Sequence, residues 1–337
     1  MHHGAAIVIL TLLLLGPVLV SRIERNLEFY CLALGVLAIS IGPGFSVPLI
    51  LTAIRVPAGI CAAVIAAAIV FGIVRADLDA AIRKLEVRIP RSILTAATIF
   101  TIAALSCVVT VIVAALLLVE VIAILRFDEE RRARVTVAGC FAVGMGSALT
   151  PLGGPLATLA AHGLGKDFFG LMNLLAPWVI PGVIAASILA GVFASGGKIL
   201  PREGTLVLRS NRDMIVQAAK VFAFIAGLVL ISQAYGELVG KVVARLGNNA
   251  LFFANTVSIA LENSTLVALE IHNMSPERAR MAIMSLLVSG GVMIPGNIAN
   301  IISAGALRIR SGEWAKTGLP MGIAMLIVYF VLLETLG

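Results

Sequence analysis

Charge is what this chain is shortest of: 13% of its 337 residues are Asp, Glu, Lys or Arg, against 60% hydrophobic. Soluble domains are nearer a quarter charged, so a large water-soluble core is excluded and a membrane protein is expected. Aromatic residues are also few, at 6%. The net charge of +7 and pI near 9.6 therefore do not read as a nucleic-acid surface, because the basic residues are scattered through short loops without aromatics beside them. Basic loops kept on the cytoplasmic side of a membrane explain the same excess. Cysteine is limited to Cys31, Cys61, Cys107 and Cys140, all inside apolar segments and without CxxC spacing. They read as buried thiols, so neither a disulfide framework nor a metal site is expected. HExxH, paired aspartates, a Ser/His couple at credible spacing and a nucleotide-binding loop are all missing. An intramembrane enzyme is thus the weakest function class, and no cofactor is expected. Any pumping would have to draw on an ion gradient or a separate ATPase subunit. The amino end, MHHG, lacks the Lys or Arg of a signal peptide and no small-x-small site follows, so 4–21 reads as an uncleaved first span.

What the chain does have is apolar runs, with a mean hydropathy of +1.07. A crossing takes about 20 mainly apolar residues. Candidate spans fall at 4–21, 28–43, 57–74, 135–164, 174–195, 214–234, 280–308 and 317–335. Two stretches fit no single crossing. Residues 92–125 hold Glu120 as their one charge and are too long for one pass and short for two. Residues 249–272 carry Asn255, Ser258, Glu262, Asn263, Ser264, Thr265 and Glu270 in mid-segment. Re-entrant helical hairpins suit both, with Glu262-Asn263-Ser264 at the tip of the second; the alternative there is one ordinary span with a polar middle. Ahead of each lies an amphipathic pattern expected to rest along the membrane surface, 76–90 with Leu78, Ile82, Leu85 and Ile89, and 235–247 with Leu238, Val242, Val243 and Leu246.

Lys and Arg set the orientation. With the amino terminus outside, Arg22, Arg25, the basic residues of 75–91, those of 126–134, those of 198–212, Arg308 and Arg310 all fall inside. Only Arg55, Lys166, Lys241, Arg245, Arg278 and Arg280 fall outside, a bias that requires both hairpins to return to the side they left. The chain then divides into N-terminal scaffold spans (1–56), a first repeat (57–195), a cytoplasmic linker (196–213) and a second repeat (214–337) of opposite orientation. Sequence echoes accompany this order. Glu130–Arg134 (ERRAR) corresponds to Glu277–Arg280 (ERAR), and Gly146–Leu164 corresponds to Gly290–Leu307. The expected fold is an all-α polytopic membrane protein: an inverted-topology repeat with two re-entrant helical hairpins (92–125 and 249–272) and two discontinuous transmembrane helices (135–164 and 280–308).

SIALENST at Ser258–Thr265 followed by MIPGNIANIISAG at Met293–Gly305 resembles the hairpin and broken-helix motifs of the ion-transporter superfamily, which includes D-type sodium/proton antiporters, arsenite pumps and divalent anion/sodium symporters. TPLGGP at Thr150–Pro155 is similar to that superfamily's Thr-Pro-hydrophobic-Gly-Asn-Pro signature. Within it, the chain looks like a small prokaryotic family of cation transporters. The resemblance covers most of 57–335. It implies a multi-pass protein of a prokaryotic inner (plasma) membrane, generally a homodimer, moving a small inorganic ion. Two departures stand out. The first hairpin has only apolar residues and Thr110 where an acid-Asn pair is usual, and Gly154 occupies the place of the signature asparagine, which the second half keeps as Asn297.

Breaking helices at Thr150-Pro151 and Pro295-Gly296 frees carbonyls and amides that lipid cannot pair. Carbonyls joined by side-chain oxygens make a hard-ligand cage for a cation such as sodium, whereas half-helix amino ends favour an anion. Neither motif region contains Lys or Arg, while Glu262 stands at the expected tip, so a cation is favoured. The expected cation-binding residues are Ser258, Glu262, Asn263, Thr265, Pro295, Gly296, Asn297 and Asn300, with Ser147, Thr150, Gly153 and Gly154 from the first half. Glu262, Glu120 and Glu270 are the proton-coupling candidates. Plainer readings stand beside these: Glu120 and Glu270 as surface anchors, His162 and His272 as interfacial, Asn300 and Ser303 as backbone-binding, Gly144, Gly146, Gly153 and Gly154 as close-packing, and Trp178 and Trp314 as interface-belt residues. The leading function is a secondary cation transporter, most simply a sodium/proton antiporter; the alternative is a sodium- or proton-coupled anion permease of dicarboxylate or arsenite type.

Overall fold

The structure, a computed structural model, describes residues 2–20, 23, 26–42, 46–196, 211–243, 245–257, 263, 267, 270–271 and 274–336. Every element among them is a helix. Helices α1 (His2–Leu19) and α2 (Leu27–Ile41) precede α3, a helix of 40 residues from Val47 to Glu86. Ser46 starts α3 by accepting a hydrogen bond from Leu49 N, and Pro48 fits its first turn. The expected surface helix at 76–90 is not a separate element. Strong helix formers, Ala76 to Glu86, carry α3 straight through the supposed boundary, and it ends shortly before Pro90. The same correction applies to 235–247, since α9 (Asn211–Val243) runs unbroken through residue 234.

Helices α4 (Arg91–Val109) and α5 (Val111–Leu125) are separated by Thr110 alone and pack against each other. Thr110 has φ 76° and ψ 148°, a region an L-residue with a branched Cβ rarely occupies. Such a conformation costs about 1–3 kcal/mol and needs its surroundings to hold it. α4, with 19 residues, is long and apolar enough to cross a bilayer; α5 has only 15. Among the described residues, the other helices of crossing length and composition are α8 (Phe168–Ala194) and α13 (Ser311–Leu336). Both present exposed apolar stripes at one-turn spacing, Ile180, Ile184, Ile188 and Val192 on α8, Ile323, Ile327 and Val331 on α13. A soluble protein would make such faces polar.

The core is built on α6 (Glu129–Gly146) and α11 (Pro276–Val292), which are buried on all sides from Val135 and Met281 onward and pack against each other. Gly291 makes that approach possible, as a Cβ there would run into the Phe141 ring. The two helices start alike. Asp128 accepts from Arg131 N at 3.0 Å and Ser275 from Arg278 N at 3.3 Å, each a short oxygen capping a first turn. Each is followed after an interruption by a short helix, α7 (Pro155–Gly163) or α12 (Ile298–Leu307), and then by a long helix that packs back on it, α8 on α6 and α13 on α11. On the far side α2 packs against α9, with Gly35 set directly on the backbone of Gly227.

The two tryptophans depart from the expected interface belt. Trp314 is fully buried, and its Nε1 donates to Gly291 O at 3.2 Å. Trp178 is also buried, with the Arg280 guanidinium over its ring and its carbonyl accepting from Tyr329 Oη at 2.7 Å. Aromatic rings near the start of an apolar run serve an interior contact as readily as a membrane interface, and here interior polar groups claimed them.

Candidate functional site

The first interruption begins where α6 tightens into a single turn of 3-10 helix at Ser147–Leu149 and then runs extended through Thr150. The helix restarts as α7 at Pro155, whose missing N–H would have had no helical partner anyway. Gly153 N donates back to Thr150 O at 3.0 Å, and Gly153 O accepts from Val111 N at 2.7 Å. Thr150 Oγ1 donates to Cys107 O. The Thr110 turn and this interruption are therefore fastened to each other by bonds on both sides of Thr110. Gly153 has no room for a Cβ, which would run into the Ser147 carbonyl, and Gly146 is equally tight against Ala103.

The second interruption follows the same plan. Met293 is extended, Ile294–Gly296 forms one 3-10 turn, and Asn297 caps α12 by accepting from Ala299 N at 3.0 Å. Freed carbonyls are met by side chains, as a water-poor interior demands. Asn300 Nδ2 donates to Gly290 O at 2.7 Å and to Met293 O at 2.9 Å, and Trp314 takes Gly291 O. Asn263 Nδ2 donates to Leu286 O at 2.7 Å.

The two interruptions open into one cleft of about 430 Å³, counting its mouth. Gly144, Ser147 and Ala148 at the end of α6 form one wall, and Gly154 and Pro155 at the start of α7 another. Asn263 and Leu287, with Gly296 and Asn297 ahead of α12, complete it, and Val111 comes from the first turn of α5. Asn297 Nδ2 reaches across to the first half, so close to Gly144 that a Cβ there would lie 2.6 Å away. Asn263 is 6% exposed and its Oδ1 has no hydrogen-bond partner among the described residues. No described residue lining the cleft is ionised. It thus sets an amide oxygen without a partner among the described residues, a group suited to a hard cation, beside the amino ends of two helices, which favour negative charge.

Of the expected ligands, Asn263, Asn297, Gly296, Ser147 and Gly154 come together at this cleft. Thr150, Gly153, Pro295 and Asn300 do not line it; they shape the interruptions behind it. Ser258, Glu262 and Thr265 lie outside the described residues, as does His272. Glu120 is half-buried on α5 and does not line the cleft, and His162 is exposed. Glu270 sits elsewhere, 4% exposed. Asn255, on α10 (Asn248–Val257), donates from Nδ2 to Glu270 Oε2 at 3.3 Å and to Ser285 Oγ at 3.1 Å. Sequence reasoning missed Ser285 and Val111. Ser285 carried a weak signal, one hydroxyl in an apolar run, and Val111 carried none.

One family model, described as a protein of unknown function (DUF1646), matches residues 3–336. No curated protein matches the chain.

Proposed function

The chain belongs to the DUF1646 family, and we propose that it is a secondary active transporter that carries a small inorganic cation through the cleft, in exchange for protons. The observation that carries this reading is the meeting of both helix interruptions and the Asn263 amide in one cleft. Interrupted helices that face each other across a small polar cavity are how membrane transporters expose backbone oxygens to an ion without exposing them to lipid. On this reading α4–α5 and the segment around Asn263 are re-entrant hairpins, and 57–195 and 214–337 are inverted repeats. The recurring caps of α6 and α11 and the recurring order of their partners support it. Sodium is the cation of choice, Asn263, Asn297 and Ser147 are neutral ligands, and Glu262 is the charged one. The protein resides in a prokaryotic plasma membrane as a homodimer.

A second reading, an anion permease, is favoured by one feature, the amino ends of α7 and α12 at the cleft. Flux into proteoliposomes with a pH-reporting dye, scanned over sodium, lithium, potassium and dicarboxylates, separates the two. Proton movement driven by an alkali cation supports exchange. Movement driven only by dicarboxylate supports the permease, and no flux with any of them refutes both.

A further inference from the structure

Away from the cleft, one acidic side chain is held where lipid-facing chemistry gives it no reason to be. Glu270 is almost fully buried, its Oε2 accepts from Asn255 Nδ2, and its Oε1 has no hydrogen-bond partner among the described residues. The Asn255 amide also reaches Ser285 Oγ and, at 3.4 Å, Ala282 O, while Ser285 Oγ donates to Ala282 O at 2.8 Å. Three segments thus meet at the Asn255 amide: α10 itself, the chain at 270 through its carboxyl, and α11 through Ser285 and Ala282. We infer that Glu270, held by Asn255, whose amide is in turn fixed by Ser285, is the site that carries the coupling proton, separate from the cleft that carries the cation. This rests on the exchanger reading above and deepens it.

The chemistry is simple. Asn255 occupies Oε2 in either state, so Oε1 is the oxygen that takes up a proton from one side and gives it to the other. Few ionisable groups among the described residues surround it. Arg278 on α11 is the nearest charge of consequence, and its guanidinium is engaged with Asn248 Oδ1 at 3.0 Å and Leu246 O at 2.8 Å. α10 contributes no ionisable side chain, and α7, whose Gly163 lies beside Ile271, brings only the exposed His162. The link to the cleft runs along α11. Ser285 bonds the proton site, and the next residue, Leu286, gives its carbonyl to Asn263, which lines the cleft. An uncompensated carboxylate in the membrane is expensive, so loss of this proton and arrival of a cation at the cleft favour each other reciprocally.

The test uses the full-length protein in liposomes. Glu270→Gln is expected to lose cation-driven proton flux while retaining sodium-for-sodium exchange measured with a tracer. If Glu270→Gln keeps proton coupling, or loses both activities while folded, the inference is overturned. A wild-type protein without any cation-driven flux would instead remove the exchanger reading itself. A measurement on the wild type guards against a variant that fails to fold. A hydrophobic carbodiimide, which reacts with protonated carboxyls, should label Glu270 by peptide mass and stop proton flux. An unlabelled Glu270 across the pH series, or a labelled one with flux intact, also overturns it.

Discussion

Asn255 Nδ2 and Glu270 Oε2 stand 3.3 Å apart although the residues are 15 positions apart in the chain. In a straight helix they would be separated by about 22 Å. Residues 255 and 270 therefore do not lie on one straight helix. In the first half, α4 and α5 are separated by a one-residue break at Thr110, tied through Val111 N to the Gly153 carbonyl.

That tie places Thr110 at the level of the first interruption, which makes its depth in the bilayer measurable. In a background without native cysteines, Thr110→Cys is expected to resist a membrane-impermeant thiol reagent from both faces, while Glu129→Cys reacts from one. Rapid labelling of residue 110 from the face opposite residue 129 would mean that α4, at about 28 Å long, crosses completely and the hairpin is not re-entrant.

Gly144 is the point where the two halves touch through Asn297. Gly144→Ala puts a methyl group against that amide. Overpacking of this kind costs about 1–3 kcal/mol, so cation affinity should fall by about 5- to 150-fold while the protein remains folded and monodisperse. An unchanged KM for the cation would remove Asn297 from the site.

Asn297 has two jobs that substitution can separate. Asn297→Ala removes the cap of α12 and should lower stability by about 0.5–2 kcal/mol, read as a lower Tm in detergent, together with transport. Asn297→Ser keeps a capping oxygen and should recover most of the Tm without recovering cation affinity. Recovery of both would make the residue a cap and nothing more.

Glu262→Gln is expected to abolish sodium exchange and proton flux together, because the proposed exchanger uses this acid as a ligand of its cation site, whereas Glu270→Gln spares exchange. Tracer and dye assays on the same liposomes decide between these outcomes. Sodium exchange at wild-type rates in Glu262→Gln would exclude the acid as a ligand.

The interruptions were legible because proline and glycine break helices for local reasons, and both breaks fall where Thr150-Pro151 and Pro295-Gly296 stand. The Thr110 turn was visible only as an excess of length, since Val109, Thr110 and Val111 carry no turn chemistry and a tertiary bond to Gly153 holds the strained backbone. The boundaries within α3 and α9 were misread for the converse reason. An amphipathic stretch of good helix formers looks like a new element, yet nothing in it stops the preceding helix. Trp314 shows the limit of composition: apolarity places a ring out of water, but the Gly291 carbonyl it serves is made by a break 23 residues away. That Asn263 and Asn297 share one cleft with Gly154 could be proposed from the repeat, but their apposition is a long-range relation no local pattern encodes.

At the seam between α2 and α9, Gly35 rests on the Gly227 backbone, flanked by Ile39 packed with Leu230 and by the Lys220–Glu28 ion pair. On the exchanger reading, the rocking that opens the cleft to one face and then the other falls to the interrupted helices, turning against this close-packed pair.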